Sequence, residues 1–400
     1  MNRTPKVVLL IESSRGAGRA LLCGIARYAH DRGPWSFYWE PRGLDTAWPV
    51  VESLEADGII LRGVAQLDKL LSLGVPTVVA GHRSDVASGF VNLITDSATI
   101  ARLAAEHLLE SGFKHLAYCG FQSTLLEHTN WSRQRQTSFE ERIVAAGLAA
   151  PPSYILAPMN QNWGRERADL ARWLASLPKP VGIMACNDDC GVQVMEACKL
   201  AGLAVPETVG VIGVDNDEVV CGLSDPPMSS VVVQFEQAGY LAAGALDRLM
   251  RGRKKIPAQI LVSASHVFTR RSTDTIAIEN PHLARALRHI RDQAGVSLCV
   301  DDVAQVTGIS RRGLERLFRQ HTGGSILDAI RRERTGQIAR LLVETRLSIR
   351  QIADRMGFPD TQHFARYFRA AKKMSPLAWR RKFAGHLAQI GGKFTQNGVV

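Results

Sequence analysis

Short apolar runs that are typical of buried β-strands are each followed directly by polar side chains. Such runs are Val7–Ile11, Val181–Ala185 and Val209–Val214. In sheets of parallel strands, ligands bind outside the carboxyl ends of the strands, so the polar residues after each run are candidates for ligand contacts. They carry carboxylate, hydroxyl, amide and guanidinium groups, and they are Glu12-Ser13-Ser14-Arg15, Gly81-His82-Arg83, Cys186-Asn187-Asp188 and Asp215-Asn216.

The sequence lacks the usual motifs of nucleotide, metal and covalent chemistry. Gly16 and Gly18 follow the first strand, but a dinucleotide fingerprint requires a third glycine where the chain has Leu21. No P-loop, G-x-S-x-G elbow or H-E-x-x-H helix occurs, and the seven cysteines are too scattered for a zinc site or a disulfide framework. We therefore predict no cofactor, no metal and no enzymatic activity. One enzymatic alternative stays open, because Asp96 and Asp215 could act as paired carboxylates on a glycoside.

Strands alternate with helices over the first 270 residues of the chain. Apolar residues at helical spacing follow the first strand in Ala20–His30, and the pattern returns in Ile100–Leu109 and Val192–Ala201. Repeated alternation of this kind predicts parallel sheets covered on both faces by helices. Two such units are expected, one before and one after about residue 111, and Ile260–Phe268 is expected to be one final extended run.

The positive charge of the chain is concentrated at its carboxyl end. The whole chain has 400 residues and a formal net charge of +11, whereas residues 281–400 hold 22 Lys+Arg against 9 Asp+Glu. This asymmetry indicates a module that binds nucleic acid or a membrane surface. No run of 18 apolar residues and no signal-peptide core occurs, so we expect no membrane span and a cytoplasmic protein.

The basic segment contains two helix-turn-helix patterns. In the first, a short helix closes at Gly308 and Ser310 caps an arginine-rich helix. In the second, Gly357 lies in the turn before the helix Asp360–Ala371. Equivalent apolar positions of the two patterns lie about 50 residues apart, which indicates an internal repeat. The segment is therefore predicted to be an all-helical domain with two DNA-reading helices.

Several spaced motifs resemble the sugar-binding domain of the LacI/GalR family, over residues 6 to about 270. They are Arg135-Gln136-Thr137-Ser138-Phe139, Ala185-Cys186-Asn187-Asp188, and Gly210-Val211-Ile212-Gly213-Val214-Asp215-Asn216 followed by Ser229-Ser230-Val231. The resemblance implies an α/β two-lobed, periplasmic-binding-protein-like fold. It also implies that a sugar binds in the cleft between the lobes.

The same resemblance implies which side chains bind the sugar. Carboxylates accept hydrogen bonds from hydroxyl groups, whereas arginine and asparagine donate them, and a tryptophan ring can stack on the sugar. Each polar residue could instead cap a helix or brace a loop, and the tryptophans could pack in the core. The predicted sugar-binding residues are Ser13, Asp96, Trp131, Arg135, Trp163, Asn187 and Asp215.

Residues 281–385 resemble the DNA-binding domain of the AraC/XylS family. The matching stretches are Ile309-Ser310-x-x-x-Leu314-x-Arg316-x-Phe318, Ile352-Ala353-x-x-x-Gly357-Phe358, Phe364-x-x-x-Phe368-Arg369 and Ser375-Pro376-x-x-Trp379-Arg380. The resemblance implies that both recognition helices enter successive major grooves.

By motif position, each recognition helix presents three side chains to base edges. These residues are Arg312, Glu315 and Arg316 from the first helix and Thr361, Gln362 and Arg366 from the second. Arg311 is a further DNA-binding candidate, although it could be only a solvated charge and Glu315 could simply pair with it. The residues predicted to neutralise phosphates are Arg319, Lys372, Lys373 and Arg380.

We divide the chain into four segments. The sensor is expected over residues 1–271, with lobe 1 at about 6–111 and 234–250 and lobe 2 at about 112–233 and 251–271. A linker over 272–281, the DNA-binding domain over 282–385 and a tail over 386–400 follow.

This pairing of two domain families resembles the xylose-responsive class of bacterial operon activators. It implies a homodimeric transcription activator that binds a double-stranded DNA operator, takes D-xylose as its effector and contacts RNA polymerase. Another sugar, or repression instead of activation, remains an alternative, because Asn187 stands where an aspartate is expected.

Overall fold

A computed structural model describes residues 3–41, 55–62, 70, 72–81, 90–122, 131–157, 163–253, 256–274, 280–296 and 298–383. Two compact units result, one made of residues 1–106 and 115–273 and the other of residues 107–114 and 274–400. Of the predicted linker at 272–281, residues 272 and 273 belong to the first unit, and residues 275–279 lie outside the described residues, as does the predicted tail at 386–400.

The first unit contains two sheets of six described strands each, and each sheet forms one lobe. The strands of lobe 1 are β1 (Lys6–Leu10), β2 (Ser36–Trp39), β3 (Gly58–Arg62), β4 (Thr77–Ala80), β5 (Phe90–Thr95) and β11 (Gln259–Val262). Those of lobe 2 are β6 (His115–Phe121), β7 (Ser153–Leu156), β8 (Val181–Ala185), β9 (Val209–Asp215), β10 (Ser229–Val233) and β12 (Ala264–Phe268).

Both sheets have the strand order of a doubly wound fold. Lobe 1 has the order β11-β5-β4-β3-β1-β2, and all its pairings are parallel. Lobe 2 has the order β12-β10-β9-β8-β6-β7, in which only the β10–β12 pairing is antiparallel. The central strands are buried along nearly their whole length because helices cover both faces, and this explains their unbroken apolar runs.

Seven described α-helices lie wholly or mainly in this unit, whose residues end at 106 and resume at 115. They are α1 (Gly16–Arg32), α2 (Ser97–Glu110), α3 (Trp131–Ala145), α4 (Trp163–Ser176), α5 (Asp188–Leu200), α6 (Glu218–Leu223) and α7 (Phe235–Met250). Helices α1 and α7 touch backbone to backbone, since a Cβ added at Gly24 would lie 1.9 Å from the Glu236 carbonyl oxygen, and one at Gly239 would lie 2.1 Å from that of Leu21. Only glycine permits this approach.

The end of the sensor differs from the prediction. Ile260–Phe268 is not one extended run, because β11 pairs with β5 in lobe 1 and β12 pairs with β10 in lobe 2. Residues 259–262 therefore belong to lobe 1, although lobe 2 was predicted to include all of 251–271. Apolar alternation indicates that a segment is extended, but it does not specify the sheet edge with which the segment pairs.

The second unit has two helical cores. Its helices are α8 (Pro281–Asp292), α9 (Val300–Thr307), α10 (Arg311–Thr322), α11 (Ile326–Glu344), α12 (Ile349–Arg355), α13 (Thr361–Lys372) and α14 (Pro376–Phe383). The start of α11 contributes Ile326 and Ile330 to the first core, and its later turns contribute Ile338 and Leu342 to the second. This long helix therefore joins the two helix-turn-helix motifs.

The predicted repeat is visible in equivalent positions 50 residues apart. Ser310 and Asp360 each cap a recognition helix, and Ser325 occupies the N-cap of the next helix in the first motif. Gly323 and Lys373 both end a recognition helix in the left-handed conformation, with φ of 68° and 55°. The predicted recognition helices are thus α10 and α13.

Candidate ligand cleft and nucleic-acid interface

Arg135 on α3 is the centre of the predicted sugar site. It is buried, with only 3% of its surface exposed, and its guanidinium donates to the carbonyl oxygen of Cys186, which follows β8. Its Nη2 lies 3.4 Å from the Thr95 hydroxyl oxygen at the end of β5 and 3.6 Å from Asp215 Oδ1 at the end of β9. One side chain thus connects the carboxyl ends of strands from both lobes, where a doubly wound fold binds ligands.

Asp215 lies in a turn with unusual backbone geometry. The φ angles of Asp215 and Asn216 are 104° and 54°, in the region that residues other than glycine rarely adopt. Burial raises the pKa of Asp215, and the nearby Arg135 opposes that shift. The strain and the desolvated carboxylate are both features that concentrate at functional sites.

Four buried polar atoms in this region have no hydrogen-bond partner within the described part of the chain. They are Nε of Arg135, Oδ1 of Asp215, Oδ1 of Asn216 and Oγ of Ser97. Buried polar atoms are nearly always hydrogen-bonded in folded proteins, and each exception calls for an explanation. The set includes an N–H donor, two acceptors and a hydroxyl that serves as either, which fits a polyhydroxyl ligand.

Asp96 and Asn187 both cap helices. Asp96 accepts from the Thr99 backbone N–H at 3.0 Å and from the Thr99 hydroxyl at 2.6 Å, at the start of α2. Asn187 Oδ1 accepts from the Cys190 N–H at 2.9 Å, at the start of α5. The capping role that the sequence left open is thus present at both positions, and a sugar contact remains a prediction for each.

The remaining predicted cleft residues have different surroundings. The Trp131 ring lies under the Arg135 guanidinium, whose Cζ is 4.9 Å from the ring centroid. Ser13 is half-buried, and its backbone N–H donates to the Pro41 carbonyl oxygen at 3.2 Å. The Trp163 side chain, a predicted sugar contact, and the candidate residues His82 and Arg83 lie outside the described part of the chain.

Further charged residues, outside the set of predicted sugar ligands, form contacts near the carboxyl ends of the strands. Glu12 after β1 pairs with Arg62 at the end of β3, with Oε1 2.7 Å from Nη1. Two carboxylates of lobe 2 reach lobe 1: Asp189 binds Arg15 at 2.9 Å, and Asp217 binds the backbone N–H of Gly16 at 2.5 Å. Their only signal in the sequence is their position after the apolar strands.

Asp188 is buried behind the turn that carries Asp215. Its oxygens accept from the Asp217 backbone N–H at 2.7 Å and from the Ser230 hydroxyl at 2.6 Å. Burial, with a smaller contribution from the charge of Asp215, raises the pKa of Asp188 to about 8. Asp188 therefore holds the Asp215 turn in place.

The first recognition helix, α10, has one buried and one charged face. Leu314 and Phe318 are fully buried, whereas Arg312 and Arg316 are exposed and make no side-chain ion pair among the described residues. These two guanidinium groups are thus available to an external partner.

Arg311 and Glu315 are paired on the same helix, as the alternative interpretation proposed. Arg311 Nε lies 3.1 Å from Glu315 Oε1, and its Nη1 lies 3.1 Å from Asp301. A contact of either side chain with a base would require this exposed pair to break. The cost is small, since exposed ion pairs contribute little to stability.

The second recognition helix, α13, repeats the pattern. Phe364 and Phe368 are buried, and Thr361, Gln362 and Arg366 are exposed at the positions that follow the Asp360 cap. Both helices therefore present polar side chains at the positions predicted to read bases.

The basic residues predicted to contact phosphates fall into two groups. Arg319, Lys372 and Lys373 are exposed, and the Lys372 ammonium also lies 5.5 Å from the centroid of the Trp379 ring. Arg380 is half-buried and its Nε donates to the Leu342 carbonyl oxygen at 2.9 Å, which braces α11 against α14. The structure thus gives Arg380 an internal role.

Two other kinds of feature are absent from the part of the chain that the structure describes. No cluster of three or more His, Cys, Asp or Glu residues that could hold a metal ion occurs there. No helix among those residues is long and apolar enough to cross a membrane.

Comparison with protein families agrees with the two units. Residues 105–273 match the periplasmic binding protein-like domain, and residues 303–382 match a helix-turn-helix domain. The transcriptional regulator CelR in its cellobiose complex is similar to 68% of the chain with a TM-score of 0.56 and 21% identity, which shows the fold of the sensor.

Relatives with the same two-domain arrangement cover nearly the whole chain. The xylose operon regulatory protein of Haemophilus influenzae is 30% identical over 387 residues, which span 94% of this chain and 98% of the relative. That of Escherichia coli K12 is 29% identical over 94% and 96%. The structure of the xylose-binding transcription activator XylR has a TM-score of 0.60 at 28% identity and covers 96% of this chain and 99% of that protein.

These relatives are regulators of transcription and not enzymes, in agreement with the absence of catalytic motifs from the sequence. The predicted combination of a periplasmic-binding-protein-like sensor with a helix-turn-helix reader is confirmed. The chain belongs to the xylose operon regulatory protein family and is a sugar-responsive DNA-binding regulator of transcription.

Proposed function

We propose that the effector is D-xylose and that it binds where the two lobes of the sensor meet. The observation that carries this proposal is the group of unsatisfied buried polar atoms on Arg135, Asp215, Asn216 and Ser97. Hydroxyl groups of a monosaccharide would donate to the two acceptors and accept from the arginine. The name of the relatives, regulators of a xylose operon, favours xylose among the monosaccharides.

In this proposal the side chains of the cleft have distinct roles. Asp215 accepts from sugar hydroxyls, and Arg135 donates its free Nε–H. Trp131 orients the arginine by stacking on it and leaves less of its ring for the sugar. Ser13, Asp96, Asn187 and Trp163 are secondary contacts. Asn187 would donate from its Nδ2 group, and Asp96 would accept on the second lone pairs of its two oxygens, both of which already accept from Thr99.

The two recognition helices are proposed to read successive major grooves of an operator. Arg312 and Arg316 suit guanine, Gln362 suits adenine, and Thr361 can hydrogen-bond to several bases. Arg366 takes the position in α13 that Arg316 takes in α10. The phosphate contacts in this proposal are Arg319, Lys372 and Lys373, and Glu315 and Arg311 contact DNA only after their mutual ion pair opens.

Regulation follows if sugar binds one arrangement of the lobes better than another. A ligand shifts a conformational equilibrium only by its difference in affinity for the two states. We propose that the sugar-bound form is a homodimer whose four helix-turn-helix motifs bind a repeated operator in the cytoplasm. Activation by contact with RNA polymerase is the proposed outcome, with repression, or response to another sugar, as the alternative.

Thermal unfolding in the presence of single sugars tests the effector. The panel is D-xylose, L-arabinose, D-ribose, D-glucose and D-galactose, and the matched control is the Asp215→Asn variant. A sugar at 100 times its Kd stabilises the unit that binds it by about 2.7 kcal/mol. We expect D-xylose alone to raise the Tm of the wild type and not that of the variant. A shift with a different sugar would correct the effector, and no shift with any sugar would refute the sugar cleft.

A further inference from the structure

Helix α1 of lobe 1 has no capping side chain of its own. Its N-cap residue, Arg15, makes no side-chain cap hydrogen bond. The backbone N–H of Gly16 instead donates to Asp217 Oδ2 at 2.5 Å, and Asp217 belongs to lobe 2, 201 residues later in the chain. Arg19 on the same helix adds a contact of 3.4 Å to the other carboxylate oxygen. The first helix of lobe 1 is therefore capped from across the cleft.

The same carboxylate also caps a helix of its own lobe. Asp217 is the N-cap of α6, and its Oδ1 accepts from the Val219 N–H at 3.2 Å. Helix N-termini carry partial positive charge, so one anion between two of them is doubly favoured. Asp217 is only 5% exposed, which strengthens these charge-assisted contacts relative to contacts in water.

The position of Asp217 is linked to that of the predicted sugar ligand Asp215. The Asp217 N–H donates to Asp188, and Asp188 also accepts from the Ser230 hydroxyl. That hydroxyl oxygen accepts in turn from the Asn216 N–H at 3.0 Å. Residues 215–217 therefore form one braced turn that holds the sugar-binding carboxylate and the cross-cleft carboxylate two residues apart.

We infer that Asp217 is a latch that holds the two lobes closed and thereby sets sugar affinity without touching the sugar. Separation of the lobes would leave the start of α1 without its cap. Nη2 of Arg19 would lose its contact with Asp217, whereas Nη1 would keep its hydrogen bonds to the carbonyl oxygens of Ser13 and Ser14. The inference rests on the proposed function in one respect, since it takes the sugar site to be the cleft that closes. Asp217 is thus a positioning residue that stabilises the closed arrangement, which the sugar-free protein also samples and which retains the sugar once it has entered.

A second ion pair across the cleft provides a matched comparison. Arg15 and Asp189 also join the lobes, but their side chains are 49% and 35% exposed, and Asp189 caps no helix from across the cleft. Exposed pairs of this kind contribute little. The latch function therefore distinguishes Asp217 from Asp189, although both are aspartates of lobe 2 that reach lobe 1.

Two measurements on the full chain test the latch, with Asp217→Asn as the variant and Asp189→Asn as the control. The first is the kinetics of D-xylose binding by stopped-flow tryptophan fluorescence. Sugar enters the open arrangement and leaves only after the closed one opens, so we expect koff to rise about 10- to 100-fold in Asp217→Asn while kon changes less than about threefold. The control is expected to keep both rates within about threefold.

The second measurement needs no sugar. Hydrogen–deuterium exchange of peptides covering residues 13–22 reports the N–H of Gly16 directly, and exchange there is expected to be faster in Asp217→Asn than in wild type or Asp189→Asn. If the wild type binds no sugar, the proposed function fails while this exchange still decides the latch. If Asp217→Asn does not fold, Arg19→Gln replaces it, with a smaller change expected in the same direction. Unchanged koff together with unchanged exchange would overturn the inference.

Discussion

The Arg135 guanidinium lies 3.6 Å from the carboxylate of Asp215, beyond hydrogen-bond length, at the meeting point of the two lobes, where Arg135 is buried and the Asp215 side chain is 16% exposed. A charged pair at this distance is stable only if other groups complete its hydrogen bonds. Arg135 donates one such hydrogen bond to the Cys186 carbonyl oxygen, whereas Oδ1 of Asp215 accepts no hydrogen bond from any described residue. The pair therefore has the properties of a ligand site held ready by the fold.

Asp215→Ala is expected to abolish the sugar response and leave sugar-free operator binding intact. Loss of a charge-assisted hydrogen bond lowers affinity by about 1.5–3 kcal/mol, or roughly 10- to 100-fold. Isothermal titration calorimetry with D-xylose measures the loss of sugar affinity, and a gel-shift assay without sugar measures operator binding. Asp169→Ala, on the surface of α4, is the control and should match the wild type in both. Full sugar affinity in Asp215→Ala would refute the role of this residue.

Arg316→Ala is expected to weaken operator binding by about 1–3 kcal/mol and to relax the preference at one base pair. Arg319→Ala should instead weaken binding to all sequences alike and reduce the slope of log K against log salt by about 1. Binding titrations at several salt concentrations, on operators altered one base pair at a time, separate these effects. Equal losses on all sequences for Arg316→Ala would assign that residue to phosphate contacts.

Lys373→Gly is expected to lower DNA affinity without lowering the stability of the DNA-binding unit. Lys373 has φ of 55°, whereas the equivalent residue of the first motif is Gly323. Glycine relieves the left-handed strain, so the free energy of unfolding of the DNA-binding unit should stay level or rise by up to about 1 kcal/mol. Thermal unfolding measures this change. Loss of the ammonium should still reduce affinity for DNA and its salt dependence. Gly323→Ala is the reciprocal control and should destabilise the unit.

The stability of the sensor is expected to fall as pH rises towards 8. Burial raises the pKa of Asp188 to about 8, above its usual value of 3.8, so the neutral form stabilises the fold below the unfolded pKa. That contribution is lost as pH rises through the folded pKa, with a slope of up to about 1.4 kcal/mol per pH unit. Urea unfolding between pH 5 and 8.5 measures the slope. Asp188→Asn should make the free energy of unfolding nearly independent of pH in this range, whereas Asp189→Asn should keep the wild-type slope. A wild-type slope in Asp188→Asn would contradict the assignment of the pH dependence to Asp188.

Much of this molecule was predictable because its signals are local. The strands before Ser13, Asn187 and Asp215 are built on continuous apolar runs, and such a run requires two covered faces. The strand before Asp96 is an exception, since it contains the buried Asn92. In the basic segment, Ser310 before α10 and the buried Leu314 and Phe318 four residues apart specify the start and the inner face of a helix. The exposed positions of the recognition helices follow from that inner face alone.

The strand pairing at the end of the sensor was not predictable from these signals. Val262 ends a strand of lobe 1 and Ala264 begins a strand of lobe 2, yet the two segments have similar apolar character. Periodicity reports how much of a segment is buried. It carries no information about the neighbour that buries it, which is a long-range property of the fold.

The sequence by itself thus determined the two domain types, the recognition helices and the group of polar residues among which the ligand site lies. Only the tertiary structure decided that Trp131 stacks on Arg135, that Asp96 and Asn187 cap helices, and that Asp217 binds Gly16. Helix caps and buried faces depend on residues a few positions apart and leave a pattern in the chain. Contacts such as that of Asp217 with Gly16 join residues 201 positions apart, so they arise only when packing brings the two lobes together.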